Sequence, residues 1–119
     1  MEMNKWIAIG KVEAAPQISM NGDRKQAFFN FIVNNRAPNA SGQWVDNPVS
    51  VPVYAVDKKA DLIEKYVVAG QELTVECQYM NWTADGQLQH AMKLLNVSFG
   101  FKPKDSVQPQ EASVTGPPM

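Results

Sequence analysis

The sequence predicts an all-β fold, five strands closed into a barrel with one helix between the third and fourth. Three observations carry this. Short runs of β-branched and aromatic residues recur along the chain, and some alternate with period two. Turn dipeptides separate them, Asn21-Gly22 and Asp85-Gly86 most clearly. One segment only, between Asp57 and Gly70, has helical spacing.

The first strand is Lys5 to Val12, apolar on both faces. The second is Gln26 to Val33, where Phe29, Phe31 and Val33 alternate as on a half-buried strand. Asn34 to Asn47 is polar, contains Pro38 and Ser41-Gly42, and reads as a long loop or hairpin tip. Val49 to Val56 is the third strand; Pro52 lacks a ladder donor, which places it at an edge or a bulge. In the helix, Asp57 is the expected N-cap and Gly70 the expected C-terminal stop. Leu62, Ile63, Tyr66 and Val67 share its apolar face, and Asp61 and Lys65 form an i,i+4 pair. Glu72 to Trp82 follows as a strand with Leu73, Val75, Cys77 and Tyr79 on one side and Trp82 on the other. Leu88 to Phe101 returns as the fifth. This order is that of the OB-fold barrel, which commonly binds oligonucleotides or oligosaccharides.

Composition narrows the function. The chain has 119 residues, 45% of them apolar and 19% charged, so it is a globular domain and not a disordered chain. No apolar run is long enough to span a bilayer, and the start lacks the pattern of a signal peptide, so a cytoplasmic protein with no membrane partner is expected. A single cysteine, Cys77, excludes an internal disulfide and a cysteine-cluster zinc site. With one histidine, His90, neither a His-rich metal site nor a Ser-His-Asp triad is expected, and no cofactor is implied. From Lys102 to Met119 the chain holds four of its eight prolines and no aromatic residue. The expected division is an OB-fold domain over 1–101 and a disordered tail over 102–119. The net charge is −1, so charge alone does not announce a nucleic-acid ligand.

Three local patterns go further. Asn4-Lys5 leads the first strand. Phe29-Asn30-Phe31-Ile32-Val33-Asn34-Asn35-Arg36 is an aromatic strand running into a polar segment with an arginine. Tyr66-Val67-Val68-Ala69-Gly70 precedes Leu73-Thr74-Val75-Glu76, and Trp82 stands just before Asp85-Gly86-Gln87. In order and spacing, over residues 4–101, these resemble the bacterial and phage single-stranded-DNA-binding protein family. The resemblance implies binding of single-stranded DNA with little sequence preference in replication, recombination or repair. It also implies a homotetramer and no catalysis. Two departures stand out. Family positions that usually carry stacking rings hold Ala37, Ser50 and Val56, and the acidic, aromatic-ended tip is missing. The second makes recruitment of replication proteins through such a tip unexpected and fits a phage or mobile-element member.

The site residues expected from this reading are Trp82, Arg36, Lys5, Trp44, Tyr54, Phe28, Lys11 and Lys93. Trp82 faces away from the apolar side of its strand, where its ring can take any base. Trp44 is an isolated ring in the polar segment; Tyr54 and Phe28 can replace the missing stacking positions. Phe28 is out of phase with Phe29 and Phe31, hence outward. Arg36 offers a guanidinium to a phosphate or a base. Lys11 and Lys93 contribute to a phosphate track, and Lys5 enters through the family pattern. Trp6 is expected in the core or a subunit interface, and Cys77 in the core as an inert thiol. The rival reading is an OB-fold protein-interaction module with weak or no DNA binding, favoured by the near-neutral charge and the replaced rings. A small hydrolase has little support from one His and one Cys.

Overall fold

The computed structural model describes residues 2–102. They form β1 (Trp6–Val12), β2 (Gln17–Asn21), β3 (Arg24–Pro38), β4 (Trp44–Val56), α1 (Lys58–Tyr66), β5 (Glu72–Ala84) and β6 (Gln87–Phe99). The sheet order is β1-β5-β6-β4-β3-β2, and β1 also pairs with β3. That extra pairing closes β1, β5, β6, β4 and β3 into a five-stranded barrel and leaves β2 attached to the outside edge of β3. The predicted OB-type barrel with a helix before its fourth barrel strand is present. The strand β2 was not foreseen: it pairs through Gln17–Phe28 to Asn21–Arg24 across the Asn21-Gly22 turn, where Gly22 takes φ 68°. Most of the predicted tail, from residue 103 on, lies outside the described residues.

Alternation fixes what is inside. Ala27, Phe29 and Phe31 of β3, Val53 and Ala55 of β4, Leu73, Val75 and Cys77 of β5, and Leu94 of β6 are buried together. Phe31 lies edge-on to both Phe29 and the half-buried Trp6, with centroids 6.2 and 6.4 Å away. Cys77 is in the core as expected, and burial pushes its thiol up to about 12. Tyr79 departs from its predicted side-mates: it is exposed, because β5 and β6 run on past the part of β5 that pairs with β1.

The segment expected as a long loop or hairpin tip, Asn34 to Asn47, is the far end of a hairpin and is mostly strand. The register Asn34–Pro48 to Pro38–Trp44 extends the β3–β4 hairpin into a long arm, turning at residues 39–43. Asn39 closes that turn, its Oδ1 accepting from the amides of Ser41 and Gln43 at 2.9 and 3.0 Å. Asn34 ties the arm together by accepting from the Asn47 amide and donating to Asp46. Polar composition here marks two solvated faces rather than absence of structure. Pro52 is paired to Asn30 on β3, while the β4–β6 pairing covers only Val53 and Tyr54, so no ladder bond to β6 is forfeited.

The helix is shorter than its signals. It ends at Tyr66, with Val67 extended, and Gly70 at φ 80° belongs to the connection that follows. There the Gly70 amide donates to the Val12 carbonyl at 2.7 Å, and buried Gln71 accepts from the Val68 amide through Oε1. Asp57 precedes the helix at φ 57° but makes no capping bond; Arg24 takes its carboxylate at 2.6 Å instead. The buried helix residues are Ala60 and Ile63, with Val67 just beyond, whereas Leu62 and Tyr66 are exposed. Asp61 pairs with Lys25 of β3 at 2.9 Å rather than with Lys65, and Glu64 joins the same lysine at 2.6 Å. Tertiary partners on β3 thus replace the local cap and the local ion pair.

Closure of the barrel makes one position intolerant. A Cβ on Gly10 would collide with the backbone carbonyl oxygen of Ile32, where β1 crosses from β5 to β3. Gly10→Ala is expected to lower stability by about 1–3 kcal/mol, read as a lower denaturant midpoint at unchanged slope. The Arg24–Asp57 pair gives a pH signature. Hydrogen bonding from Arg24 holds the Asp57 carboxyl below its ordinary 3.8. A depressed carboxylate contributes stability that is complete above the unfolded value and is lost as pH falls through the lower native value. The melting temperature of Asp57→Asn is therefore expected to fall less between neutral and strongly acidic pH than that of the parent.

Candidate nucleic-acid interface

Residues opposite one another in a ladder project to the same face, so the register maps the outside of the barrel. Phe28 is opposite Tyr54, Tyr54 is level with Lys93 across the parallel β4–β6 pair, and Lys93 is opposite Gln78. Met80 and Trp82 follow Gln78 on the same side of β5. Three rings from three strands meet on this face. Phe28 and Tyr54 stack at 6.3 Å with 29° between planes, and Trp82 stands edge-on to Tyr54 at 6.1 Å. Trp82 nonetheless keeps 44% of its surface in solvent and Phe28 40%. Partial burial raises the Tyr54 phenol above its ordinary value, so its hydroxyl stays protonated and able to donate.

The row has a physical cause in the sequence. Phe28, Tyr54 and Trp82 are each out of phase with the buried residues of their own strands, so burial of Phe29, Val53 and Cys77 turns them outward. Beside the row lies a shallow groove of about 240 Å³ lined by Ala14, Ala15, Gln17, Phe28, Asn30, Pro52 and Ala91, with Phe29 and Val53 beneath. Gln17 is opposite Phe28, and Asn30 is opposite Pro52. These groove residues were not singled out from the sequence. The signal was available in strand parity, since Asn30 shares the phase of Phe28, but Gln17 needed the unforeseen β2.

The other expected site residues fall into separate places. Arg36 and Trp44 are together on the arm: Arg36 donates to the Trp44 carbonyl at 3.0 Å and lies 3.6 Å from Asp46. Both share the phase of Phe28 and Tyr54 on their strands, but Trp44 is ten residues from Tyr54, about 34 Å along the strand. The Trp44 ring is 62% exposed. Lys11 is opposite Ile32, four residues from Phe28 on the same face of β3, so it lies between the ring row and the arm. Glu13, nearby on that surface, accepts from Ser50 at 3.1 Å. Lys5 is away from the row. It pairs with Glu76 at 2.8 Å, and this bond holds the Glu76 carboxyl below its ordinary range. The neighbouring Asn4 does backbone work: its side chain both donates to and accepts from the main chain of Tyr79, at 2.8 and 3.0 Å, prolonging the β1–β5 ladder. His90 is exposed beside the Tyr79 ring.

Among the described residues no group of three or more His, Cys, Asp or Glu side chains can hold a metal ion, and no helix is long and apolar enough to cross a membrane. What the surface offers is a run of flat rings with a lysine among them, a polar-edged groove beside it, and a second ring with an arginine out on the arm.

No family model matches the sequence, and no curated protein matches it either. Solved structures do match in three dimensions. The wild-type single-stranded DNA binding protein from Thermus aquaticus superposes with a TM-score of 0.71 at 17% identity, covering 88% of this chain and 53% of that one. The Plasmodium falciparum SSB in complex with ssDNA gives 0.67 at 21% identity, over 85% and 97% of the two chains. The small single-stranded DNA-binding protein from Streptomyces coelicolor gives 0.61 at 16%, over 84% and 96%. The chain spans about half the length of the Thermus protein and nearly all of the other two. At these identities the likeness is one of architecture: the barrel, its helix and its long hairpins have the fold of these single-stranded DNA-binding proteins.

Proposed function

We propose that this chain binds single-stranded DNA with little sequence preference and without catalysis, in replication, recombination or repair. The observation that carries the reading is the contiguous row of Phe28, Tyr54 and Trp82 on the outside of the barrel. Every base has a flat face, so successive bases can stack on such a row whatever their identity. Lys93 lies within the row to neutralise phosphates, with Lys11 of β1 beside β3 farther on. Arg36 and Trp44 take the strand farther along the arm. Lys5 has a lesser part, since Glu76 already holds its ammonium group. The solved structures with this fold, one of them named as a complex with ssDNA, support the same ligand.

Assembly as a homotetramer is part of the proposal. Ile7 and Ile9 project from the outside of β1 with 63% and 62% of their surface exposed, and β1 from Trp6 to Gly10 has a ladder partner on one side only. An apolar, half-open strand of this kind suits burial against another copy. Ala37, Ser50 and Val56, where the family usually carries rings, support a divergent member of the family. The interaction-module reading has one observation in its favour: Lys5, Arg24, Lys25 and Arg36 are all engaged by carboxylates, which lowers the charge left for phosphates.

Titration with fluorescent oligo-dT separates the two. The parent is expected to bind, and to bind more weakly as salt rises. Trp82→Ala should weaken binding by about 1–3 kcal/mol, roughly tenfold or more, with little change in salt slope or melting temperature. No binding at low salt would refute the DNA reading and leave the interaction module. Light scattering at micromolar concentration is expected to give four times the 13.2 kDa chain mass; the mass of a single chain would refute the tetramer.

A further inference from the structure

We infer that the groove beside the ring row is a subsite that takes one unstacked nucleobase and holds it by its hydrogen-bonding edge, through the side-chain amides of Gln17 and Asn30. The inference rests on the DNA-binding reading above and specifies how one base is held. Four observations converge. The groove adjoins the row, Phe28 being both its wall and the first ring of the row, and Pro52 standing two residues before Tyr54 on the same face of β4. Its remaining lining is made of small side chains, Ala14, Ala15 and Ala91, which leave room for a flat ring between the β1–β2 connection and the sheet. Gln17 and Asn30 are exposed, and their side-chain amides form no hydrogen bond among the described residues, whereas those of Asn4, Asn34 and Asn39 do. Finally, Gln17 is opposite Phe28 and Asn30 is two residues farther along β3, a diagonal of about 7–8 Å that lets both amides reach the same base.

The chemistry fits a ligand of varying sequence. A carboxamide has an acceptor and a donor side by side and can rotate by half a turn to exchange them. It therefore complements the pairing edge of thymine, cytosine, adenine or guanine alike. Edge bonding by rotatable amides adds affinity without choosing a sequence, and it supplies a contact on a face where Ser50 and Val56 of β4 offer no ring. It also sets a requirement that stacking alone does not: the base must present an unblocked edge.

The test compares oligo-dT with an oligonucleotide of the same length made of N3-methylthymidine, whose rings still stack but whose central donor is replaced by a methyl group. Both are titrated against the full chain, the double variant Gln17→Ala/Asn30→Val, and Trp82→Ala. The parent is expected to bind the methylated strand about fivefold more weakly, the loss of about one hydrogen bond. In the double variant, affinity for oligo-dT should fall by a similar factor and the two strands should bind equally. In Trp82→Ala the methylation penalty should persist. Thermal melting of each variant shows that it is folded, and Gln17→Ala alone, on the outer strand β2, provides a milder version. Oligo-dT binding by the parent with no methylation penalty would overturn the subsite and leave the stacking row intact. A penalty that survives in the folded double variant would do the same. Absence of oligo-dT binding by the parent would instead overturn the DNA reading itself.

Discussion

Closure of the barrel hangs on two residue pairs, Lys11–Ile32 and Val12–Phe31, at which β1 leaves β5 and reaches β3. At that crossing the two backbones approach so closely that only Gly10 fits over the Ile32 carbonyl. The same corner is tied by Gly70 to the Val12 carbonyl and by the Val12 amide to Gln71, so the crossing also anchors the connection from the helix to β5. Phe31 fills the space behind it, against Phe29 and Trp6. Once the ring is closed, each strand has one inward and one outward set of side chains, and the outward set is no longer free to vary with register. The row of Phe28, Tyr54 and Trp82 is a consequence of that assignment: each ring is placed by the neighbour it has in the core.

Charge has a different organisation from the rings. The chain is nearly neutral, and four of its cations are matched by nearby anions: Arg24 by Asp57, Lys25 by Asp61 and Glu64, Lys5 by Glu76, Arg36 by Asp46. The first two pin the β2–β3 hairpin to the helix. As exposed pairs they contribute little energy singly, but they set orientation, since Arg24 takes the carboxylate that would have capped the helix and Lys25 takes the one that would have paired along it. A surface organised this way suits a ligand held by stacking and hydrogen bonds as much as by phosphate contacts.

Much of this architecture is legible in the sequence, and the misses have physical reasons. Periodicity identified the cores of the barrel strands, because Phe29, Phe31, Val53, Leu73, Val75 and Cys77 alternate with outward residues and are buried as the pattern requires. It failed where burial does not act. Asn34 to Asn47 carries no apolar alternation because both faces of the arm are solvated, yet cross-strand bonding and the Asn39 turn make it strand. It failed again at β2, five residues with only Ile18 packed against the core. The helix was placed, but its cap, its ion pair and half of its apolar face were assigned on local rules that β3 overrides. Among candidate site residues, phase against the core turned Phe28 and Trp82 outward, whereas Tyr54 entered only as a ring near the missing positions; the convergence of all three depends on which strands are neighbours, and that is a property of topology. Lys93 was one lysine among many until the β4–β6 pairing set it level with Tyr54.

The crossing at Gly10 carries a further consequence, for the order in which the chain folds. The β3–β4 and β5–β6 hairpins join residues close in sequence, and both have long, nearly continuous ladders. The β1–β5 ladder joins residues 61 to 71 positions apart, from Lys11–Glu72 to Trp6–Cys77. Contacts between near neighbours form in microseconds, whereas distant ones must first overcome the entropy of closing a large loop. The two hairpins are therefore early structures that already carry Phe28 with Tyr54 and, separately, Trp82 with its β6 partner. Pairing of β1 with β5 is the late event that turns an open sheet into a ring. A lesion at the crossing accordingly acts on the lifetime of the finished barrel more than on the speed with which its parts appear.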